Sequence, residues 1–190
     1  MIRSHSSGTR RESAFVAVMA AFAALPAVAC TLSWGGGAGP PSPTPAGPAL
    51  WPADGRATAV VTSDVDGDTI HVRVGGRDEK VRFIGVNTPE VAWYGGEGEC
   101  YGPAAARYTR RRLVGRTVRL VFDVRLRDVY GRLLAYVYVG DELFNLTLVR
   151  LGYATNDPVP PDTRRETTFA SAETAARSRG AGLWSACREA

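Results

Sequence analysis

Histidine, cysteine and lysine are scarce in this 190-residue chain, and each scarcity removes a class of chemistry. The two histidines, His5 and His71, stand far apart, which excludes a histidine-clustered metal centre and an HExxH protease. Three cysteines, Cys30, Cys100 and Cys187, are too few for a disulfide-built miniprotein or a tetrahedral thiolate zinc site. Of 23 basic residues only Lys80 is a lysine. Genome composition accounts for such a bias, and arginine's planar fork also suits phosphate recognition. The apolar run 14–25 falls short of the roughly 20 residues that span a membrane. A strong charge of one sign is missing too. The formal net charge is +4, and once residues 1–29 are set aside 20 basic face 18 acidic residues. A chain so balanced is not a blanket polyanion binder, and any nucleic-acid site on it has to be a local patch. What is present is an ordinary globular mixture, 45% hydrophobic and 22% charged, long enough for one domain and too short for two.

The N-terminus runs from a basic stretch (Arg3, His5, Arg10, Arg11) through the apolar run to Ala27-Val28-Ala29-Cys30. That is the order of a secretory signal over 1–29. Ala27-x-Ala29 suits ordinary cleavage. Cys30 also stands where a bacterial lipobox places the cysteine that is lipidated, although Ala27 occupies the position of the usual leucine. An uncleaved anchor is the third reading. The expectation is an exported protein, either secreted or held at the cell surface by a lipid on Cys30. Residues 30–56 are dense in glycine and proline and read as a tether. No internal repeat is found.

From residue 57 the pattern changes to short β-rich runs: 57–63, 69–74, 80–86, 117–122 and 133–139, with a predicted hairpin turn at 75–78. Helices are predicted over 104–113, over 143–151 with Leu143, Leu146, Val149 and Leu151 as its apolar residues, and from about 164 to 177. Thr163-x-x-Glu166 is a capping-box signature for the third helix, and Gly180 and Gly182 stop it. Three strands, a helix, two strands and two helices do not alternate as βαβ. They fit a five-stranded OB-fold barrel with three packed helices, over 57–187.

Three carboxylates alternate in Asp64-Val65-Asp66-Gly67-Asp68, where one strand turns into the next. An EF-hand loop is excluded, because position 12 is Gly75 rather than glutamate and no helix flanks it. An Asp-rich turn is the simplest reading. The midpoint between Asp68 and Asn87 falls inside the predicted turn, so antiparallel strands would bring the two together as oxygen donors for a hard cation. Glu90 follows on the same loop, placed to accept a proton from water. Arg82 precedes Asn87 on its strand and Arg132 opens the strand at 133–139, and both suit phosphate oxygens. Strict alternation puts Arg82 and Asn87 on opposite faces, so the strand must bend, and Gly85 permits it. A metal, a base and two arginines are what phosphodiester cleavage needs.

Six pieces occur in order: Asp66-Gly67-Asp68-Thr69; Arg82-x-x-Gly85-Val86-Asn87-Thr88-Pro89-Glu90; Tyr101-Gly102-Pro103; Asp128-Val129-Tyr130-Gly131-Arg132-x-x-Ala135-Tyr136; Leu148-Val149-Arg150-x-Gly152; and Gly182-Leu183-Trp184. Together they make residues 57–187 resemble the staphylococcal nuclease (thermonuclease) family. The resemblance implies a calcium-dependent nuclease cutting DNA and RNA, and a monomer is expected. The matched catalytic positions are Arg82, Glu90 and Arg132. The matched calcium ligands are Asp68, Asn87 and the main-chain carbonyl of Thr88. Asp66 either orients ligands or waters or merely caps the turn. Two departures stand out. The family's prototype has aspartate where this chain has Asn87, so calcium should be held more weakly. The prototype's substrate-flanking tyrosines are missing from 153–161, which offers Asn156, Asp157 and prolines, leaving Tyr130, Trp93 and Tyr94 as aromatic candidates. The competing reading is a non-catalytic nucleic-acid or protein-binding OB module with a weakened calcium site, and the presence of Glu90 and both arginines favours the enzyme.

Arg107, Arg110, Arg111 and Arg112 form either a solvated helix face or a nucleic-acid track. Trp184 is expected in the core, and His71 has no catalytic assignment. Asn145-Leu146-Thr147 matches a glycosylation acceptor but lies in a predicted helix. With Cys30 lipidated, Cys100 and Cys187 remain as an even pair, which in an exported protein suggests a disulfide.

Overall fold

The computed structural model describes residues 54–92 and 97–187. The export segment, Cys30, most of the tether, Trp93 and Tyr94 lie outside the described residues. Among the described residues no helix is long and apolar enough to cross a membrane.

Strict alternation builds the first strands. In β1 (Arg56–Asp64), Ala57, Ala59 and Val61 are buried while their neighbours are exposed, and β2 (Thr69–Val74) and β3 (Arg77–Phe83) bury Ile70, Val72, Val81 and Phe83. These strands with β5 (Thr117–Val121) and β6 (Leu133–Val139) run in the order β3-β2-β1-β5-β6. A parallel pairing of β3 with β6 (Val81 with Leu133, Phe83 with Ala135) closes the ring into a five-stranded barrel, the OB architecture. Closure removes the free sheet edges. The short β7 (Glu142–Leu143) extends β6.

The β2–β3 turn is tighter than the sequence suggests. Val74 pairs with Arg77, so only Gly75 and Gly76 form it, both at positive φ (57° and 77°) as primed hairpin turns require. The register therefore sets Thr69 against Arg82, and the residue facing Asp68 is Phe83, whose N–H donates to the Asp68 carbonyl at 2.9 Å. The predicted Asp68–Asn87 ladder pairing does not form. The run 80–86 is not one strand either. It breaks at Ile84, and β4 (Gly85–Asn87) leaves the barrel to pair with β8 (Thr155–Asp157).

Among the described residues four helices pack outside, one more than expected. In α1 (Gly102–Leu113), Ala105, Ala106, Thr109 and Leu113 are buried at helical spacing, and Thr109 Oγ1 donates to the Gly67 carbonyl at 2.6 Å. Of the apolar residues predicted for the second helix, Leu143 and Val149 are buried and Leu146 packs against the core, whereas Leu151 does not. Leu143 belongs to β7, and α2 (Phe144–Arg150) buries Phe144, Asn145, Leu148 and Val149 while Leu151 is exposed. Asn145 is fully buried as a polar clamp, accepting from Val137 N at 2.8 Å and donating to the Ile84 carbonyl at 2.9 Å. That role ties α2 to the break between β3 and β4. In α3 (Glu166–Ser178) no side chain caps the N-terminus, so the Thr163–Glu166 capping box is not made. Thr163 contributes its carbonyl to Glu166 N instead. Trp184, in α4 (Leu183–Ala186), is half-buried rather than core, with the Arg177 guanidinium 4.0 Å from its ring centroid.

Candidate active site

The site forms where the broken strand leaves the barrel. Gly85 adopts φ +77°, and a Cβ there would collide with the Phe169 ring of α3. Glycine thus allows a turn that no other residue makes without strain, and it reverses the facing of everything after it. Arg82 and Asn87, which alternation puts on opposite faces, meet as a result: Arg82 Nη2 donates to Asn87 Oδ1 at 3.0 Å. The same guanidinium donates through Nη1 to the Phe83 and Val86 carbonyls (2.8 and 2.6 Å), and its Nε lies 3.1 Å from Asp68 Oδ1. Arg82 is therefore held at a fixed angle by three segments.

Asp68 is 4% exposed. Its Oδ1 accepts from Thr69 Oγ1 at 3.1 Å, and its Oδ2 accepts from Thr88 N (2.8 Å) and Thr88 Oγ1 (3.2 Å). Burial pushes its carboxyl up to about 6, against the pull of the Arg82 charge, and nearby Asp66 adds to the rise. Asp66 Oδ1 accepts from Asp68 N at 3.0 Å, so its carboxylate shapes the turn that aims Asp68. Asp64, the third acid of the motif, faces away and pairs with Arg110 at 2.8 Å.

Glu90 lies two residues beyond Thr88. Its backbone is fixed from both sides: its N–H donates to Glu99 Oε2 and its carbonyl accepts from Glu99 N, each at 2.9 Å. The residue is exposed and its carboxylate has no hydrogen bond or ion pair among the described residues. The far end of this loop is tied down by a disulfide between Cys100 and Cys187, Cα atoms 5.8 Å apart.

Arg132 immediately precedes Leu133, the ladder partner of Val81, and so stands at the mouth of β6, next to the strand that carries Arg82. Asp128 fixes it: Oδ2 accepts from Arg132 Nε at 2.7 Å and Oδ1 from Arg132 N at 2.9 Å. Partial burial opposes ionisation of Asp128, but these hydrogen bonds hold its carboxyl below the usual range. The two terminal amino groups of Arg132 have no partner among the described residues. Tyr130 is exposed, its ring 5.4 Å from the Arg132 guanidinium carbon.

A family model described as staphylococcal nuclease homologue matches residues 80–186, more than half of the chain. The chain belongs to the staphylococcal nuclease family. It is 39% identical over 120 residues to a thermonuclease of Staphylococcus intermedius, covering 63% of this chain and 71% of that one. It is 36% identical over 121 residues to the thermonuclease of Staphylococcus hyicus (64% and 72% covered). Endonuclease YncB of Bacillus subtilis is 36% identical over 123 residues, with 64% and 58% covered. The protein is accordingly a nuclease, a hydrolase of the phosphodiester bond. In this nuclease Arg82, Asp68, Asn87 and Thr88 form one connected group; Glu90 follows Thr88 by two residues, and Arg132 enters the strand that pairs with β3.

Sequence reasoning missed two neighbours of that group. In the β4–β8 ladder Gly85 faces Asp157 and Asn87 faces Thr155. Gly85 has no side chain, and Asp157 Oδ2 lies 3.9 Å from Arg82 Nη2. Only the bend at Gly85 reveals this pairing. The second is Asp128, visible in the sequence as part of a motif but not as the clamp on Arg132. Of the α1 arginines, Arg110 and Arg112 are committed to Asp64 and Glu142, leaving Arg107 and Arg111 exposed.

Proposed function

We propose that this nuclease is an exported, calcium-dependent enzyme that hydrolyses the phosphodiester bonds of both DNA and RNA. The observation that carries the reading is the convergence of Asp68, Asn87 and Arg82 at the start of the loop that carries Glu90, whose carboxylate has no partner among the described residues. The donor set suits calcium in kind, since Asp68, Asn87 and the Thr88 carbonyl offer only oxygen. It is poor in charge: among the described residues no three His, Cys, Asp or Glu side chains cluster. Asp68, Asn87 and Thr88 would hold the ion. When bound, it supplies positive charge to a phosphate oxygen.

The chain's own residues do the rest. Glu90 accepts a proton from the attacking water. The water oxygen forms the new bond to phosphorus as the opposite phosphorus–oxygen bond breaks in line. Arg82, already fixed in angle, and Arg132, clamped through Nε, direct N–H groups at the phosphate oxygens, where charge builds in the five-coordinate state. Their rigidity matters because pre-oriented donors need no reorganisation during reaction. Export rests on the charged, apolar and small-residue order of 1–29.

Digestion of single-stranded DNA and of RNA, first with calcium and then with excess chelator, tests the reading. Cleavage of both is expected with calcium, and a fall on the order of 100-fold or more in chelator. Undiminished cutting in chelator removes the metal. Binding without cutting under all conditions makes the chain a binding module.

Asn87→Asp is expected to tighten calcium about tenfold by adding a charged ligand, read by calorimetric titration. Unchanged affinity would take Asn87 out of the ligand set.

A further inference from the structure

We propose that Lys80 binds a second phosphate of the nucleic-acid strand, next to the phosphate engaged by Arg82 and Arg132. The inference rests on the nuclease reading and adds a specificity-determining residue to it. Val81 and Phe83 are fully buried in the barrel, so Lys80 and Arg82 leave β3 together from its outer side. Two residues along a strand put them about 6.6 Å apart, a step comparable to that between neighbouring phosphates of one strand. Across the parallel ladder Val81 pairs with Leu133, and Arg132 therefore stands beside Lys80. A cleft of about 450 Å³ opens there, lined by Lys80, Tyr130, Gly131 and Arg132.

Among the described residues no acid lines this cleft, and the nearest carboxylates along the chain already have partners, that of Asp128 being the Nε side of the cleft's own Arg132, whose terminal amino groups stay open. Asp78 pairs with Arg73, Glu79 with Arg127, and Asp128 with Arg132 itself. Lys80, the one lysine of the chain, has no ion pair or hydrogen bond among the described residues. A compact ammonium next to a guanidinium in an acid-free cleft selects a polyanion rather than a lone phosphodiester. The exposed ring of Tyr130 forms one wall and offers a face on which a base can stack. The ligand class is thus an oligonucleotide carrying at least two consecutive phosphates.

The test is fluorescence polarisation of a labelled oligothymidylate in excess chelator over a range of salt concentrations, using the full chain and its Lys80→Gln and Lys80→Arg variants. One lost phosphate contact flattens the slope of log affinity against log salt by about 0.7 for a single strand. Lys80→Gln is expected to show that flattening with about tenfold weaker binding at low salt, and Lys80→Arg to keep the full slope. An unchanged slope in Lys80→Gln overturns the assignment, and so does equal flattening in both variants. Absence of binding by the unsubstituted chain overturns the nucleic-acid reading, and this one with it.

Discussion

Replacing Glu90 with glutamine is expected to lower kcat on single-stranded DNA by about three orders of magnitude at saturating calcium, within the range that one general base contributes. The substitution is nearly isosteric and leaves the backbone bonds between Glu90 and Glu99 untouched. The carboxylate has no protein partner among the described residues, so its loss breaks no folding contact there. The fall therefore reports proton transfer alone. Arg82 offers no such clean reading. Its guanidinium joins Asp68, Asn87 and two main-chain carbonyls, and removing it strands the buried Asp68 carboxylate as well as removing a phosphate donor. Steady-state kinetics beside a thermal melt decides the matter. A wild-type rate in Glu90→Gln, with an unchanged melt, would deprive Glu90 of its role as base.

Gly152→Ala is expected to cost about 3 kcal/mol of stability or more, which for a domain of this size lowers Tm by roughly 10 °C or more. Gly152 sits just beyond α2 at φ +71°, and a Cβ there would run into the main chain at Ala181. The Gly152 carbonyl accepts from Leu183 N at 2.9 Å, and Gly182, at φ +57°, is packed so closely that a Cβ on it would collide with the Gly152 carbonyl. Neither backbone can yield without moving a helix. A calorimetric melt measures the effect, and a shift of less than about 3 °C would show that the two turns slide apart freely.

That contact also shows how far the sequence was legible. Leu148-Val149-Arg150-x-Gly152 and Gly182-Leu183-Trp184 read as two separate motif pieces, and folding makes them one interface. Most of the barrel strands were readable because they bury alternate residues on a single face, a local pattern, and β6 because it is an unbroken apolar run, Leu133–Val137 all being buried. Strand ends and partners were not. The turn at Gly75–Gly76, two residues instead of four, shifted the register away from Asn87, and the exit at Gly85 sent β4 to a partner 70 residues away in sequence, Asn156 opposite Val86. Asn145 read only as part of a glycosylation-acceptor triplet inside a predicted helix, yet its environment is set by Ile84 and Val137, which no local pattern connects to it. The third helix lacks its capping box, since Thr163 offers Glu166 N its carbonyl, and the neighbouring Asp162 is turned to a different segment. It is buried, and its Oδ1 accepts from the N–H groups of Val124 and Arg125. The site residues themselves were legible as a set, through motif order. Their contacts follow from one positive φ.

The bond between Cys100 and Cys187 joins residues 87 apart and makes a covalent ring of everything between them. Arg132 is inside the ring, while Asp68, Arg82, Asn87 and Glu90 belong to the strand that leads into it. A protease that nicks any one peptide bond from 101 to 186 therefore opens the ring without releasing a piece, and both halves of the site stay on one molecule. The damage becomes visible only on a reducing gel, where the single band separates into two. That topology gives the protein a tolerance to cleavage that is independent of how tightly its barrel is packed, of use to an enzyme exported as proposed above.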